Sequence, residues 1–314
     1  MTKYLVTGGA GFIGSSIAER LVDLGHQVTI LDNLSTGKRD NMVSFAPAVR
    51  FVEGDVADPE ATADAMEGAE IVFHQAALAS VPLSVEKPKE VNRACVDGTL
   101  NVLEQARKAG VRRVVYAGSS SCYGDQPYSA NRETDPIQPL SPYAVAKLGG
   151  EMYCRAFYET FGLETVTLRY FNVFGPRQDP ESVYSAVIPI FISRILRGEA
   201  PVIYGDGEQS RDFTYIENVI QGNLLAAEHP AAPGRCFNMA NGRSTTLNQL
   251  MAGLNRSLGA NIKPVYQDAR PGDIRDSMAD ISLANRVLGY SPAIDLQEGL
   301  DRSIEYYRAM VNAR

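Results

Sequence analysis

A tyrosine and a lysine four residues apart form the most reactive pattern in the sequence, Tyr143-Ala-Val-Ala-Lys147. Pro142 precedes them and is typical of a first helical position, so the pattern places both side chains on one helix face. A phenol with a pKa near ~10 needs roughly 4 kcal/mol of phenolate stabilisation to act as a base at neutral pH. The lysine charge and a second cation in a dry site can supply it. A solvent-facing pair on an amphipathic helix is the alternative.

Three serines stand upstream of this pair, at the end of an apolar run. Ser119, Ser120 and Ser121 follow residues 114–117, which read as a buried strand. Hydroxyls at the carboxyl end of a strand can hold a substrate oxygen and share its proton. A polar turn is the alternative interpretation.

A glycine-rich segment near the N-terminus, residues 7–14, fits both GxGxxG and GxxGxxG spacing. It lies between a predicted strand and an amphipathic helical pattern, where absent side chains let backbone N–H groups approach a pyrophosphate. A glycine turn without ligand is the alternative. We predict a dinucleotide site whose contacts include Gly8, Gly11, Phe12, Ile13 and Gly14.

Acidic and amide side chains at later strand ends extend this predicted site. Asp32 follows Gly14 by 18 residues and can accept both ribose hydroxyls while repelling a 2′-phosphate, which favours NAD over NADP. Arg39 downstream keeps NADP open. Asn33, directly after Asp32, is a further cofactor candidate. The remaining candidates follow other strands, at positions suited to the adenine or to the passage toward the nicotinamide, with loop capping as the alternative: Asp55, Val56, Gln75, Ala76 and Ala77.

The elements that must position these residues alternate between strands and helices. Short apolar runs at 4–7, 28–31, 49–52, 71–73, 114–117 and 165–168 predict buried strands, and residues 12–24 carry a clear helical stripe. This alternation predicts a doubly wound parallel α/β sheet, the Rossmann class. Prolines punctuate the chain after Phe174, so we expect a dinucleotide-binding domain over 1–174 and a smaller substrate-binding domain over 175–314. Some segments of the two should interleave around a shared cleft.

Composition excludes several other classes of protein. The chain has 314 residues, 45% hydrophobic and 21% charged, with a net charge of −7, which is typical of a globular protein and argues against broad binding to nucleic acid or anionic membrane. Its four cysteines form no CxxC pair and its three histidines no HExxH, so we expect neither disulfides nor a metal site. With no export signal and no long apolar run, a cytoplasmic protein is expected.

These motifs resemble the extended short-chain dehydrogenases/reductases that act on nucleotide sugars. The resemblance covers essentially the whole chain and is carried by residues 7–14, 32, 119–121, 143–147, 169–177 and 205–213. It is strongest to the UDP-N-acetylglucosamine 4-epimerases, neighbours of the UDP-glucose 4-epimerases. It implies that Tyr143 takes the proton of a sugar 4-hydroxyl while NAD takes and then returns a hydride at C4, with no net redox change.

The resemblance also implies roles for single residues. Ser119 would be the hydroxyl partner of Tyr143, Lys147 would bond the nicotinamide ribose and lower the tyrosine pKa, and Tyr170 would lie near the nicotinamide. The implied substrate contacts are Ser121 beside Ser119, Asn172 near the diphosphate or sugar, Arg211 and Arg270 on the diphosphate, and Asp273 on the uridine ribose.

Two positions narrow the implied chemistry. Related 4,6-dehydratases carry an Asp-Glu pair where this chain has Ser120 and Ser121, which disfavours elimination of water. Hexose-restricted epimerases carry a tyrosine at the position of Ser277, so a serine there leaves room for an N-acetyl group. We therefore expect turnover of UDP-GlcNAc/UDP-GalNAc and also of UDP-Glc/UDP-Gal. A UDP-glucuronate 4-epimerase and a non-catalytic NAD-binding regulator are the alternatives.

One departure and one assembly follow from the same resemblance. Cys95 stands where the family usually has Asn before a Val-x-Gly-Thr segment, and a thiol is a much weaker hydrogen-bonding group than an amide. The contact made by that Asn is therefore not expected here. Cys122, beside the serines, is expected to be a buried apolar residue and not a nucleophile.

Helices near 92–109 and 143–161 resemble those of a dimer interface, so we expect a homodimer.

Overall fold

The computed structural model describes residues 1–127, 129–180, 186–269 and 274–312. Its strands are β1 (Lys3–Thr7), β2 (Gln27–Asp32), β3 (Val49–Glu53), β4 (Ile71–His74), β5 (Arg113–Ser119), β6 (Glu164–Tyr170), β7 (Val173–Phe174), β8 (Val202–Tyr204), β9 (Ser210–Arg211), β10 (Thr214–Tyr215), β11 (Cys236–Met239), β12 (Thr245–Thr246), β13 (Val265–Gln267) and β14 (Asp276–Ser277). Its α-helices are α1 (Phe12–Asp23), α2 (Pro59–Met66), α3 (Val81–Glu86), α4 (Pro88–Asn92), α5 (Gly98–Lys108), α6 (Pro142–Phe161), α7 (Val187–Leu196), α8 (Ile216–Glu228), α9 (Leu247–Leu258), α10 (Ser282–Leu288) and α11 (Leu296–Asn312).

A parallel sheet in the order β11-β6-β5-β4-β1-β2-β3 forms the centre of the molecule. The six strands predicted from apolar runs are confirmed, each with one to three further residues. The strand order reverses between β1 and β4, and open sheets of this kind bind ligands at that point, beyond the carboxyl ends of the strands. The predicted doubly wound α/β fold is therefore confirmed.

The sheet is buried on both faces because successive side chains of a strand point in opposite directions. On β1, Tyr4 and Val6 belong to a core cluster shared with α1, α7, α8 and α11. Leu5 points the other way, into a cluster built with α2, α5 and α6. Helices thus cover both sides and leave the strand ends as the accessible edge.

The seventh strand, β11, was not predicted. Asn238 interrupts the apolar character of its four residues, so no continuous apolar run marks the strand. Parallel pairing with β6 makes this segment the edge of the central sheet, so residues after 174 contribute to the same sheet as residues before it. The division into domains at residue 174 remains a prediction.

The helical stretch predicted near 92–109 also differs in one respect. Between α4 and α5 the backbone forms a π-helical turn over Arg93–Asp97, with Cys95 buried inside it. Turns of this type are rare and occur often at functional sites. The next long helix, α6, begins as expected at Pro142, where the Ser141 hydroxyl accepts the Ala144 N–H at 3.1 Å.

Candidate active site

The glycine loop forms the cradle that the sequence predicts for a pyrophosphate. Gly8 has a left-handed backbone with φ of +67°, and a Cβ there would lie 2.7 Å from the Ala76 nitrogen. A Cβ on Gly14 would lie 2.1 Å from the Gly8 carbonyl oxygen. Gly11 caps the N-terminus of α1 without a side-chain hydrogen bond, and such a terminus attracts a negative group. The residues present therefore fit a dinucleotide, with Phe12 and Ile13 in the first turn of the helix.

Asp32 ends β2 beside this loop. Its carboxylate accepts the Ala10 N–H at 2.9 Å and the Leu34 N–H at 2.8 Å. Burial raises the pKa of Asp32, and backbone N–H groups act in the opposite direction. Arg39, the residue that kept NADP open, binds Glu53 at 2.6 Å. Its guanidinium also lies 4.6 Å from the centre of the Phe51 ring, and this geometry favours NAD.

Asp55 follows β3 on the same edge of the sheet. Its carboxylate accepts the Ala57 N–H at 2.8 Å and pairs with the Arg93 guanidinium at 2.6 Å. Burial acts to raise the pKa of Asp55, but Ala57, Arg93 and the Asn33 side chain together hold it below its usual value. Val56 beside it is buried. The loop-capping role and the predicted adenine contact are compatible here, and the latter stays a prediction.

Polar groups from three elements meet at the predicted nicotinamide side. The Tyr170 hydroxyl, at the end of β6, donates to Asn223 at 2.9 Å and lies 3.2 Å from the Gln75 amide oxygen. Asn223 lies on α8 and is fully buried. The structure thus brings Gln75 and Tyr170 together, as expected for a shared site. The sequence analysis did not identify Asn223 as a site residue, because Asn223 lies on a helix in the C-terminal part of the chain.

The candidate catalytic tyrosine lies near the serine hydroxyls at the end of β5. Tyr143 is half-buried at the start of α6, and the Ser119 hydroxyl lies close enough to its phenol to lower the pKa of that group in part. Ser119 and Ser121 share a hydrogen bond of 2.8 Å between their hydroxyl oxygens. Ser119 also pairs in register with Tyr170 across β5 and β6. The predicted hydroxyl partner, the phenol and the nicotinamide-side tyrosine therefore lie at one edge.

Lys147 is buried one helical turn after Tyr143. Its side chain is 3% exposed, and its ammonium lies 4.4 Å from the centre of the Tyr116 ring, a favourable cation–π arrangement. Burial lowers the pKa of Lys147, whereas the nearby thiols of Cys95 and Cys154 and the Glu151 carboxylate act to raise it. The alternative of a solvent-facing Tyr–Lys pair does not fit this burial.

The protein's own groups keep the Tyr143 phenol protonated at neutral pH. Burial raises the pKa of Tyr143, and the nearby Ser119 hydroxyl lowers it only in part. Phenolate formation therefore needs a further positive charge against the ring, as the sequence argument required. The predicted effect of Lys147 on this pKa stays a prediction.

A cavity of about 450 Å³ opens beside Asn172, two residues beyond Tyr170. Asn172 has an unusual positive φ of 28°, and Arg211 on β9 lines the same cavity. Sequence reasoning missed most of its wall, because these residues come from short strands and a helix without a chemical signature. They include Val187, Phe191, Val202, Tyr204 and Gln209.

Ser277 lies on β14 opposite Arg211 of β9. It is half-buried, next to the strand that lines the cavity. Arg270 and Asp273, the other two predicted substrate contacts, lie outside the described residues. Their roles remain predictions.

Cys122 behaves as the sequence analysis expected for an apolar residue. It is 1% exposed, and burial raises the pKa of its thiol to about 12, so no thiolate forms at neutral pH. Within the described ranges, no cluster of three or more His, Cys, Asp or Glu side chains suits a metal ion. The helices in those ranges include none long and apolar enough to cross a bilayer.

The fold and this edge of the sheet define a class of protein: dinucleotide-binding α/β proteins with a tyrosine–lysine–serine site beside a second, concave pocket. Comparison with known proteins gives the family. Residues 4–240 match the NAD dependent epimerase/dehydratase family, and the chain belongs to it. NAD is the cofactor of this family, as predicted, and the resemblance to extended short-chain dehydrogenases/reductases is confirmed.

Three known proteins show how close the similarity is. The UDP-glucose 4-epimerase of Mycolicibacterium smegmatis is 37% identical, over 98% of each chain. The crystal structure of a UDP-glucose 4-epimerase from Thermotoga maritima with UDP-glucose has a TM-score of 0.94 and 40% identity, over 98% of this chain and 99% of that one. A UDP-N-acetylglucosamine 4-epimerase from Methanobrevibacter ruminantium, in complex with UDP-N-acetylmuramic acid, has a TM-score of 0.94 and 41% identity over the same shares.

Proposed function

We propose that the protein is an NAD-dependent 4-epimerase of UDP-sugars. The observation that carries this proposal is the meeting of Ser119, Tyr143 and buried Lys147 at the sheet edge that also holds the glycine loop. The similarity to UDP-sugar 4-epimerases over nearly the full chain supports it. Serines in place of an Asp-Glu pair at positions 120 and 121 disfavour elimination.

Each proton in the reaction can be assigned to a group of this chain. Tyr143, as phenolate, takes the proton of the sugar 4-hydroxyl and returns it after inversion, so no proton is gained or lost overall. Bound NAD supplies the acceptor and donor of the C4 hydride. The Ser119 hydroxyl would hydrogen-bond to the oxygen of the sugar 4-hydroxyl and keep the Tyr143 phenol aligned with it. Lys147 keeps a positive charge beneath this site and would hold the nicotinamide ribose.

The cavity next to Asn172 suits the UDP part of the substrate. Arg211 offers a guanidinium, which binds a diphosphate in a forked geometry, and Phe191 and Tyr204 offer aromatic surface to a base. An acidic protein needs such local positive charge to hold a diphosphate. Anchoring through UDP leaves the sugar able to turn, so that its other face meets the same reactive groups.

We assign UDP-GlcNAc and UDP-GalNAc as substrates, together with UDP-Glc and UDP-Gal. Ser277 supports this assignment, since a hydroxymethyl group beside Arg211 leaves space that a ring would fill. UDP-glucuronate is the alternative substrate, and it would need a partner for its carboxylate.

The decisive assay incubates the NAD-loaded protein with each UDP-sugar in turn and separates the products by chromatography. We expect UDP-GalNAc and UDP-GlcNAc to interconvert without added cofactor, and UDP-Gal and UDP-Glc likewise. Turnover of UDP-glucuronate alone would replace the assigned substrates. A folded, NAD-loaded protein that converts none of them would be a non-catalytic NAD-binding regulator, and the proposal would be wrong.

We further propose that the protein is a homodimer joined through α6. Apolar side chains stand exposed along this helix, with Val145, Met152 and Phe161 between 44% and 55% exposed. Val145 and Met152 are seven residues apart and so share one face. Exposed apolar residues on one helix face are typical of an interface.

Sedimentation should show a species of twice the 34.1 kDa chain mass. Met152→Glu should shift it toward the monomer, because a charge cannot be buried without a partner. Val43→Glu is the matched control, since Val43 is an exposed apolar residue away from α6, and it should leave the dimer intact. A wild-type protein that sediments only at 34.1 kDa would contradict the assignment.

A further inference from the structure

His74, at the end of β4, has a hydrogen-bond partner on each ring nitrogen. Its Nδ1 lies 2.7 Å from the Thr7 hydroxyl oxygen and its Nε2 lies 2.9 Å from the Thr99 hydroxyl oxygen. The ring is 1% exposed. Burial and the charge of Lys147 lower the pKa of His74 to about 3. The imidazole is therefore neutral, with a proton on one nitrogen only.

Hydrogen bonds link Thr7, His74, Thr99 and the Cys95 carbonyl in one chain. The direction of the last bond fixes the directions of the others. The Thr99 hydroxyl donates to the Cys95 carbonyl oxygen at 2.6 Å, and a hydroxyl has a single proton to donate. Thr99 must then accept from His74, so the ring carries its proton on Nε2. Nδ1 is left as an acceptor for the Thr7 hydroxyl, which in turn accepts the Ala76 N–H at 3.3 Å.

The far end of the chain lies in the π-helical turn against α6. A π turn interrupts the regular backbone ladder, so a carbonyl within it gains from a side-chain donor. Cys95 is buried there and shares a small apolar cluster with Ala146 and Tyr143. Its thiol also influences the pKa of both Tyr143 and Lys147, so the turn borders the reactive pair.

The near end of the chain lies beside the glycine loop. Thr7 is the last residue of β1, and its carbonyl oxygen accepts the Gln75 N–H at 3.1 Å. A Cβ on Gly8 would touch the Ala76 nitrogen, so this backbone borders the predicted cofactor cradle. The imidazole therefore connects the strand ends under the cofactor to the turn under the tyrosine.

We propose that His74 is a positioning residue: its neutral Nε2–H form joins the ends of β1 and β4 to the π-helical turn and so fixes the orientation of Tyr143 and Lys147. This role rests on the proposed epimerase function. The hydrogen-bond chain from Thr7 to Cys95 does not reach the cavity that Asn172 and Arg211 line. Loss of this hydrogen-bond chain should therefore slow the chemical step and leave substrate affinity unchanged.

The tautomer can be tested without any turnover. In ¹⁵N-histidine-labelled, NAD-loaded protein, three histidines give signals, and the His74→Gln variant identifies the one of interest. We expect the Nε2–H form, unchanged between pH 5 and 9. An Nδ1–H ring, or titration of His74 within that range, would overturn the bond directions and the proposal with them.

The positioning role is tested by a pair of matched valine variants. Thr99 and Thr165 are both buried, and each hydroxyl donates to the carbonyl of a cysteine in a helical segment, at 2.6 Å for Thr99 and 2.7 Å for Thr165. Thr99→Val should lower kcat at least tenfold, with KM and NAD content within twofold of wild type. Thr165→Val should keep kcat within twofold, at a comparable loss of thermal stability. Equal kcat in the two variants, or a loss confined to KM or NAD content, would overturn the proposal.

Substitutions of the ring itself give a second, independent comparison. His74→Phe removes both bonds and should match Thr99→Val in kcat, whereas glutamine can both donate and accept and should restore kcat to within threefold of wild type. Equal losses in the two His74 variants would refute the role. A wild-type protein inactive on every UDP-sugar would instead refute the proposed function, and the positioning role with it, while the tautomer result would still stand.

Discussion

Tyr143→Phe is expected to lower kcat by about 1000-fold, the typical loss when a general base is removed. The phenol at the start of α6 lies beside the Ser119 hydroxyl, and phenylalanine keeps its ring in place. Binding should persist, because the glycine loop and the cavity at Arg211 are untouched. The measurements are turnover of UDP-Gal and UDP-GalNAc, NAD content, and UDP affinity by calorimetry.

Tyr158→Phe is the matched control. Tyr158 lies on the same helix with its ring against Gly234, away from the serines, so its variant should keep kcat within twofold of wild type. A Tyr143→Phe protein that retains NAD and more than a tenth of wild-type kcat would show that another group takes the 4-hydroxyl proton.

Ser277→Tyr is expected to separate the two kinds of substrate. A tyrosine ring on β14, opposite Arg211, would occupy the space assigned to an acetamido group. Overpacking of this kind costs about 1–3 kcal/mol, which corresponds to roughly a fivefold to 150-fold loss of kcat/KM. We expect that loss for UDP-GlcNAc and UDP-GalNAc, and less than a threefold change for UDP-Glc and UDP-Gal.

Ser277→Ala separates the effect of the ring from the effect of losing the hydroxyl. It adds no volume, so both kinds of substrate should keep kcat/KM within threefold of the wild-type values. Equal losses on N-acetylated and plain sugars in the tyrosine variant would place the acetamido group elsewhere. A similar loss in the alanine variant would instead assign Ser277 a direct hydrogen bond to the substrate.

Local pattern was enough to predict the central elements. The apolar runs that became β1 to β6 are short and sharply bounded, and proline with Ser141 marks the start of α6. Burial of a strand on both faces leaves a continuous apolar run in the sequence. A phosphate-binding loop between a strand and a helix requires glycines at fixed intervals, and that spacing is visible in the sequence. Such features depend only on residues close together in the sequence, so they can be recognised without the tertiary structure.

Other features depend on residues far apart in sequence. Asn223 reaches Tyr170 from a helix 53 positions later, and Arg39 pairs with Glu53 on the neighbouring strand. Strand β11 joins the sheet edge although its four residues give no periodic signal. No local rule assigns such partners, because they are chosen by the packing of whole elements against one another.

The amino-acid sequence by itself determined the doubly wound sheet and the NAD cofactor class, and it indicated the candidate tyrosine–lysine–serine set, because each leaves a local spacing that chemistry requires. Only the tertiary structure decided which groups lie around Tyr143. The π-helical turn at Cys95 and the ordered chain through His74 arise where β1, β4 and two helical segments converge. Hydrogen-bond direction is a property of that convergence, since it follows from which donors and acceptors the fold brings within reach.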